Sequence, residues 1–115
     1  MSRSSGLATA VLLRRHAPIF AALGDETRLR LVARLCHDGP MSITRLAEGF
    51  DISRQAITKH LRVLERAGVV RGAPEGREIV WHVERRQLAQ AKRDLDAIAR
   101  QWEGTLQRLK KFVEG

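Results

Sequence analysis

The sequence is short of the residue types that mark several classes of protein. It has one cysteine, Cys36, no tyrosine and three prolines among 115 residues. A scaffold held together by internal disulfides is therefore excluded. No window approaches the roughly 20 apolar residues of a membrane-spanning helix, and the first residues lack the apolar segment of a signal peptide. We therefore expect a cytoplasmic protein with no membrane partner.

Positive charge is what the sequence has in excess. Lys and Arg number 21 against 13 Asp and Glu, so the net charge is +8 and the pI is about 11.2. Such an excess favours a polyanionic partner, with nucleic acid first. The sequence contains no Gly-rich phosphate loop, nucleophile elbow or zinc signature. We accordingly predict no enzymatic activity, no cofactor and no metal site.

The N-terminal third is predicted to be helical after a disordered start. Residues 1–8 are rich in Ser and Gly and are expected to be disordered, whereas residues 9–115 form one domain. A first helix covers residues 10–23, where Pro18 can kink or break it. A second helix, 26–37, follows the N-cap residue Asp25. The 3- and 4-residue spacing assigns its buried face to Leu29, Val32, Ala33 and Cys36.

Residues 42–67 have the pattern of a helix-turn-helix. Ser42 and Ser53 are good N-cap residues for a short and a longer helix, and Gly68 ends the second one. The second helix has an apolar stripe opposite a polar, cationic one. The apolar stripe comprises Ile57, Leu61 and Leu64. A helix of this kind can pack on a core with one side and offer the other to an anion.

From residue 69 the period of the apolar residues changes to two, which indicates a β-hairpin over residues 69–83 with its loop at 74–76. From 86 to 113 the sequence predicts one long helix, in which apolar residues recur mostly at steps of 3 and 4 in a heptad-like seam that is interrupted at Thr105. The fold class is thus mainly α with a small β-hairpin wing, a winged helix-turn-helix whose N- and C-terminal helices form a dimer interface.

Three segments carry a resemblance to a known family. They are residues 22–31 (Ala-Leu-Gly-Asp-Glu-Thr-Arg-Leu-Arg-Leu), 56–70 (Ala-Ile-Thr-Lys-His-Leu-Arg-Val-Leu-Glu-Arg-Ala-Gly-Val-Val) and 76–81 (Gly-Arg-Glu-Ile-Val-Trp). In this order and spacing the chain resembles the ArsR/SmtB family of small bacterial repressors over roughly residues 17–113. The resemblance implies a dimer that represses an operon and releases DNA on an effector signal.

The sequence departs from the metal-sensing members of that family. Such members carry a Cys-x-Cys pair at the start of the first helix of the helix-turn-helix, where this chain has Ser42 and Thr44. Hydroxyl groups are poor ligands for soft metals. A second family site uses acidic and His ligands on the last helix, which here contains no His. Neither metal site is therefore expected.

Cationic and polar residues of the second helix and the wing are the candidates for binding double-stranded DNA. Arg and Gln near the start of a recognition helix suit bidentate contacts to guanine and adenine, whereas Lys, Thr and His suit phosphates. Residues 53–77 include six basic and two acidic residues, a local charge of +4. The predicted DNA-binding residues are Ser53, Arg54, Gln55, Thr58, Lys59, His60, Arg62, Arg71 and Arg77.

The seam of the last helix is expected to pair with a second copy of the chain, because a domain this small has little core left to cover it. The predicted interface comprises Val11, Leu88, Ala91, Leu95, Ile98, Trp102, Leu109 and Phe112. The prediction is a homodimeric, nucleoid-associated repressor that binds a palindromic operator, with an unidentified small-molecule or protein effector. Two alternatives stay open: a winged-helix module that binds protein, and a metal- or redox-responsive repressor that uses Cys36.

Overall fold

The computed structural model describes the backbone of residues 2–114 and the side chains of residues 10–114. Five helices and three short strands follow one another along the chain. They are α1 (Ser2–Leu23), α2 (Glu26–Asp38), β1 (Met41–Ser42), α3 (Ile43–Ala47), α4 (Arg54–Arg66), β2 (Val70–Glu75), β3 (Glu78–Val83) and α5 (Arg85–Glu114). The predicted mainly helical fold with a β-hairpin wing is confirmed.

Short polar side chains begin the three central helices, as predicted. The Oδ2 atom of Asp25 accepts a hydrogen bond from the backbone N–H of Arg28 at 3.0 Å, and Ser53 Oγ accepts one from the N–H of Ala56 at 3.1 Å. Ser42 Oγ lies 3.5 Å from the corresponding nitrogen of α3. Each cap satisfies a donor that the first helical turn leaves unpaired, so the helices begin where the sequence placed them.

The sheet has three strands rather than the two predicted. Its order is β1-β3-β2, and both pairings are antiparallel. Trp81 lies at the centre, opposite Met41 on one side and Gly72 on the other. A strand of two residues is too short to show an alternating pattern, which is why the sequence did not reveal β1.

One core joins α1, α2, α3, α4 and the sheet. Its side chains come mainly from the central elements and are almost entirely withdrawn from solvent. The most buried of them are Leu31, Leu35, Leu46, Ile57, Leu61, Leu64, Val69, Val70 and Trp81. Ile19 and Ala22 of α1 and Ala91 of α5 pack on the same cluster. The terminal helices thus share the core of the helix-turn-helix.

The predicted buried face of α2 is wrong in part. Leu29, Ala33 and Cys36 are exposed, and only Val32 of the predicted set is buried. The buried face comprises Leu31, Val32 and Leu35. Both sets have helical spacing, so the period alone does not decide which stripe of α2 meets the core.

Helix α1 is longer and more regular than expected. It begins at Ser2, so the backbone of residues 2–8 is helical where we expected disorder, and Met1 lies outside the described residues. Residues 7–13 (Leu-Ala-Thr-Ala-Val-Leu-Leu) are mostly good helix formers. Pro18 lies inside the helix without ending it. Since Pro18 is exposed, water can reach the backbone carbonyl that the proline leaves without its donor.

A glycine in β2 allows the closest packing in the wing. A Cβ atom at Gly72 would lie 2.9 Å from Cγ2 of Ile79 and 3.1 Å from Cζ3 of Trp81. Trp81 is almost fully buried, so it has little room to move.

We predict that Gly72→Ala destabilises the protein by about 1–3 kcal/mol, because the added methyl group overpacks this contact. Gly104→Ala is the matched control. Gly104 lies inside α5, the nearest side-chain atom to its Cβ would be 3.6 Å away, and the substitution should stabilise the helix by roughly 0.5–1 kcal/mol. Urea denaturation of the two variants measures both effects, and an unchanged midpoint for Gly72→Ala would contradict the argument.

Candidate nucleic-acid interface

The exposed face of α4 is rich in cationic side chains. Ile57, Leu61 and Leu64 hold the opposite face inside the protein. Arg54, Gln55 and Lys59 point outward as predicted, and their side chains make no hydrogen bond or ion pair with any described residue. Unpaired donors on a rigid helix are free to bind the base edges and phosphates of a DNA duplex.

Arg66 extends this face and was missed in the sequence. It is exposed at the end of α4, on the same side as Gln55 and Lys59. Its position three turns after Gln55 was readable from helical spacing, so the residue belongs with the candidate set. Ser53 is exposed, but its hydroxyl oxygen is used as the helix cap. Thr58 is half-buried, and its hydroxyl donates to the carbonyl of Arg54 at 2.8 Å.

The structure gives Arg62 internal partners. Its Nη1 donates to Glu65 Oε1 at 2.8 Å, and its guanidinium carbon lies 5.3 Å from the centre of the Trp81 ring. Glu65 Oε2 accepts a hydrogen bond from the backbone N–H of Gly72 at 3.1 Å. We call the set Arg62, Glu65, Gly72 and Trp81 the helix–wing bridge. It connects α4 to β2 and β3, so Arg62 is oriented before any ligand arrives.

These contacts stabilise the charged form of Glu65. The hydrogen bond from the Gly72 N–H, followed by the one from Arg62, lowers the pKa of Glu65 below its ordinary value of 4.5. A carboxylate that accepts two donors is favoured over the neutral acid, because protonation removes acceptor capacity. Glu65 was not singled out in the sequence, although its i,i+3 spacing from Arg62 was visible there.

A groove of about 340 Å³ lies between the start of α3, α4 and the wing. Guanidinium groups and hydroxyls line much of its wall, and the side chains of Trp81 and Ile79 supply an apolar part. The lining residues are Ser42, Ile43, Thr44, Thr58, Arg62, Arg77, Glu78, Ile79 and Trp81. Two arginines and three hydroxyls against one carboxylate make the groove suited to an anionic, partly apolar chain such as a sugar-phosphate backbone.

The wing presents a single unpaired cation at its tip. Arg77 follows Gly76, whose φ of 65° allows the two-residue turn between Glu75 and Glu78. Arg77 is exposed and makes no ion pair with the described residues, as a DNA contact requires. Its two acidic neighbours face each other across the hairpin, so the tip itself carries no net positive charge.

Besides Arg62, two further residues of the predicted DNA-binding set lie elsewhere or are already paired. His60 faces α2: its Nδ1 lies 3.5 Å from Nη1 of Arg28 and 3.9 Å from Oδ2 of Asp25. The prediction for His60 is therefore corrected, because its helical position places it between the core and the outer face. Arg71 donates to Glu84 at 2.8 Å. Its side chain is half-exposed and neutralised by that partner.

The predicted dimer seam divides into two parts. Ala91 and Ile98 are buried within the protomer and Leu88 is half-buried against the core, so these three side chains serve the domain itself. This corrects the assignment of Ala91 and Ile98 to the interface. Packing of α1 on α5 accounts for it, since those helices are in contact. The remaining predicted residues are exposed: Val11, Leu95, Trp102, Leu109 and Phe112.

A polar contact fixes α1 against α5 below that exposed surface. His16, which is buried in α1, lies 2.5 Å through Nε2 from Asp94 Oδ2, and Gln90 donates to the other oxygen of Asp94 at 3.1 Å. The sequence pattern does not single out His16. Its partner lies 78 residues away, a separation that helical spacing cannot bridge.

Cys36 has no ligand set around it. Its thiol is exposed, beside the contact between His37 Nδ1 and Asp38 Oδ1 at 2.9 Å. In the described part of the chain, no three His, Cys, Asp or Glu residues are grouped so that they could hold a metal ion. Over the same residues, no helix has the length and apolar character needed to cross a membrane.

The fold and this surface define a winged helix-turn-helix protein. A family described as "Helix-turn-helix domain" matches residues 23–73. The HTH-type transcriptional regulator Rv2034 of Mycobacterium tuberculosis is 40% identical over 75 residues, which cover 65% of this chain and 69% of that protein.

Solved structures of similar proteins have the same winged helix-turn-helix fold. The ArsR-like transcriptional regulator from Rhodococcus sp. RHA1 has a TM-score of 0.73 and 35% identity, with 86% of this chain and 92% of that one covered. A domain of Mb0332 from Mycobacterium bovis, described as a homodimeric winged helix-turn-helix DNA-binding domain, has a TM-score of 0.63 at 21% identity, covering 78% of this chain and 82% of that one. The chain belongs to the ArsR family of helix-turn-helix transcriptional regulators, which is a family of DNA-binding regulators rather than of enzymes.

The lowered pKa of Glu65 predicts an acid-sensitive wing. The folded state holds this proton less tightly than the unfolded state, so the stabilisation is complete above the ordinary pKa of 4.5 and is lost as the pH falls below it. We expect the thermal midpoint of Glu65→Gln to fall less steeply than that of the wild type between about pH 5.5 and about pH 3.5. Glu78→Gln, which removes an exposed carboxylate outside the bridge, should keep the wild-type slope. Equal slopes for all three proteins would contradict the assignment.

Proposed function

We propose that the protein is a transcriptional repressor that binds double-stranded DNA in a sequence-specific way. The observation that carries the proposal is the state of α4: three aliphatic side chains anchor one face in the core, while Arg54, Gln55 and Lys59 stand exposed and unpaired on the other. Cations fixed on a rigid element bind DNA at a lower entropic cost than cations on a mobile loop. Membership of a family of DNA-binding regulators supports the same conclusion.

The contacts divide by their chemistry. Arg54 and Gln55, in the first turn of α4, are placed to read base edges in the major groove, since their side chains form bidentate pairs with guanine and adenine. Lys59 and Arg66, further along the helix, bind phosphates. Arg77 reaches the adjacent minor groove or its phosphates, where a narrow groove favours arginine. Base contacts specify the sequence, and phosphate contacts position the protein on it.

The protein acts as a homodimer. The exposed apolar side chains of α1 and α5 form an apolar surface, and a second copy of the chain covers it by symmetry. The surface comprises Val11, Leu95, Trp102, Leu106, Leu109, Phe112 and Val113. Two α4 helices related by a two-fold axis then enter successive major grooves about 34 Å apart, so the operator is a palindrome. We place this function in the cytoplasm at the nucleoid, because operator DNA lies there.

Selection of bound genomic fragments, read by sequencing at two salt concentrations, tests the function. We expect one palindromic site to be enriched at both, and its affinity to fall roughly 10³–10⁵-fold between about 50 and 200 mM salt for 6–10 phosphate contacts. Gln55→Ala should relax the base preference, whereas Lys59→Ala should weaken all sequences alike. Sequence-blind recovery, or identical profiles for the two variants, would contradict the proposal.

The dimer is tested with two leucines of similar exposure. Leu109 on α5 is 58% exposed and Leu29 on α2 is 52% exposed. Leu109→Asp should weaken dimerisation by roughly tenfold or more, because it places a charge in an apolar interface, and Leu29→Asp should leave it unchanged. Sedimentation velocity over a range of concentrations measures both, and an equal effect of the two substitutions would place the interface elsewhere.

A further inference from the structure

We propose that Glu65 is a positioning residue for DNA recognition: it holds the wing in a fixed orientation to α4, so that Arg77 and the base-reading residues meet the same stretch of duplex. This inference rests on the proposed DNA-binding function and adds the residue that couples its two contact elements. It also gives Arg62 a structural role in place of the DNA contact predicted from the sequence.

The geometry places Glu65 between the two elements. One carboxylate oxygen accepts from Arg62 on α4 at 2.8 Å, and the other accepts from the Gly72 N–H on β2 at 3.1 Å. Because both oxygens are used, the side chain cannot turn to a cation on the surface without giving up one of these bonds. A charged acceptor makes each of them stronger than a neutral pair would be.

Trp81 completes the connection on the far strand. The Arg62 guanidinium lies over its ring, and Trp81 is paired in register with Gly72 across the hairpin. No side chain fits between them, since a Cβ on Gly72 would approach Cη2 of Trp81 to 3.2 Å. The contacts of the helix–wing bridge therefore form a short closed loop. It runs from α4 through Glu65 to β2, across to β3, and back to α4 through Arg62, and it restricts rotation of the wing about its base.

Charge argues against any direct DNA-binding role for Glu65. It is the one acidic residue of α4, a helix that also contains Arg54, Lys59, Arg62 and Arg66. On electrostatics alone, a carboxylate beside the phosphates weakens DNA binding, and its removal should strengthen it. The positioning role predicts the opposite, that removing the Glu65 carboxylate weakens specific binding. Substitution of Glu65 therefore separates a purely electrostatic effect from a positioning role.

The experiment compares three substitutions on the operator selected by the wild-type protein and on a scrambled duplex of equal length. Glu65→Ala should lower the ratio of specific to non-specific affinity roughly tenfold. Glu65→Gln, which still offers one neutral oxygen to Gly72, should lower it less. Glu78→Gln removes the same charge from the wing without a bridging contact, so it should tighten both duplexes alike and keep the ratio.

A double-mutant cycle shows whether Glu65 acts through the wing. Arg77→Ala should cost less operator affinity in the Glu65→Ala background than in the wild type, because an untethered wing has already lost part of that contact. The Gly72 amide proton shift, measured by NMR, reports on the bridge in each variant, and thermal melting shows that the domain remains folded.

The outcomes separate the inference from the function beneath it. If the wild-type protein selects no operator, both the DNA-binding function and the positioning role are overturned. Suppose that Glu65→Ala and Glu65→Gln keep the wild-type ratio of specific to non-specific affinity, or that they bind the operator more tightly, as Glu78→Gln does. The DNA-binding function then stands, and the positioning role of Glu65 is overturned. Additive effects of Glu65→Ala and Arg77→Ala overturn it as well.

Discussion

The burial of one stripe of α4 is the constraint on which the rest of this structure depends. Ile57, Leu61 and Leu64 are fully withdrawn from solvent, and exposing any one of these side chains would cost about 1.5–3 kcal/mol of folding free energy. A helix turns by a fixed angle per residue, so fixing this stripe also fixes the direction of every other side chain on the helix. The cationic face is therefore held outward by the core and not by its own contacts.

The wing depends on the same core through Trp81. A two-stranded hairpin is marginally stable by itself, and here the short strand β1 and the buried indole tie it to the body of the domain. Glu65 then joins the hairpin to α4 from the solvent side. The two elements that we propose to contact DNA are thus parts of one rigid surface, which suits recognition of a fixed site better than two independent contacts do.

Residues that interact locally were predicted well from the sequence. The caps at Asp25 and Ser53 depend on bonds to the next few residues, and the outward face of α4 follows from its period. The α2 face was misassigned because periodicity gives the angles between residues but not which stripe meets the core. His60 was misassigned for a related reason: it lies at the edge of the polar stripe, where only the position of α2 decides its surroundings.

By itself the sequence determined the order of the five helices and the hairpin, the family and the cationic recognition helix, since spacing, caps and charge are properties of neighbouring residues. Only the tertiary structure decided how the apolar seam of α5 is used. Ala91 and Ile98 turn inward, while Trp102 and Phe112 remain exposed, because α1 covers only part of the longer helix. It likewise decided that Arg62 of α4 is held against the wing, because the strands that carry Gly72 and Trp81 are brought beside α4 only when the chain folds.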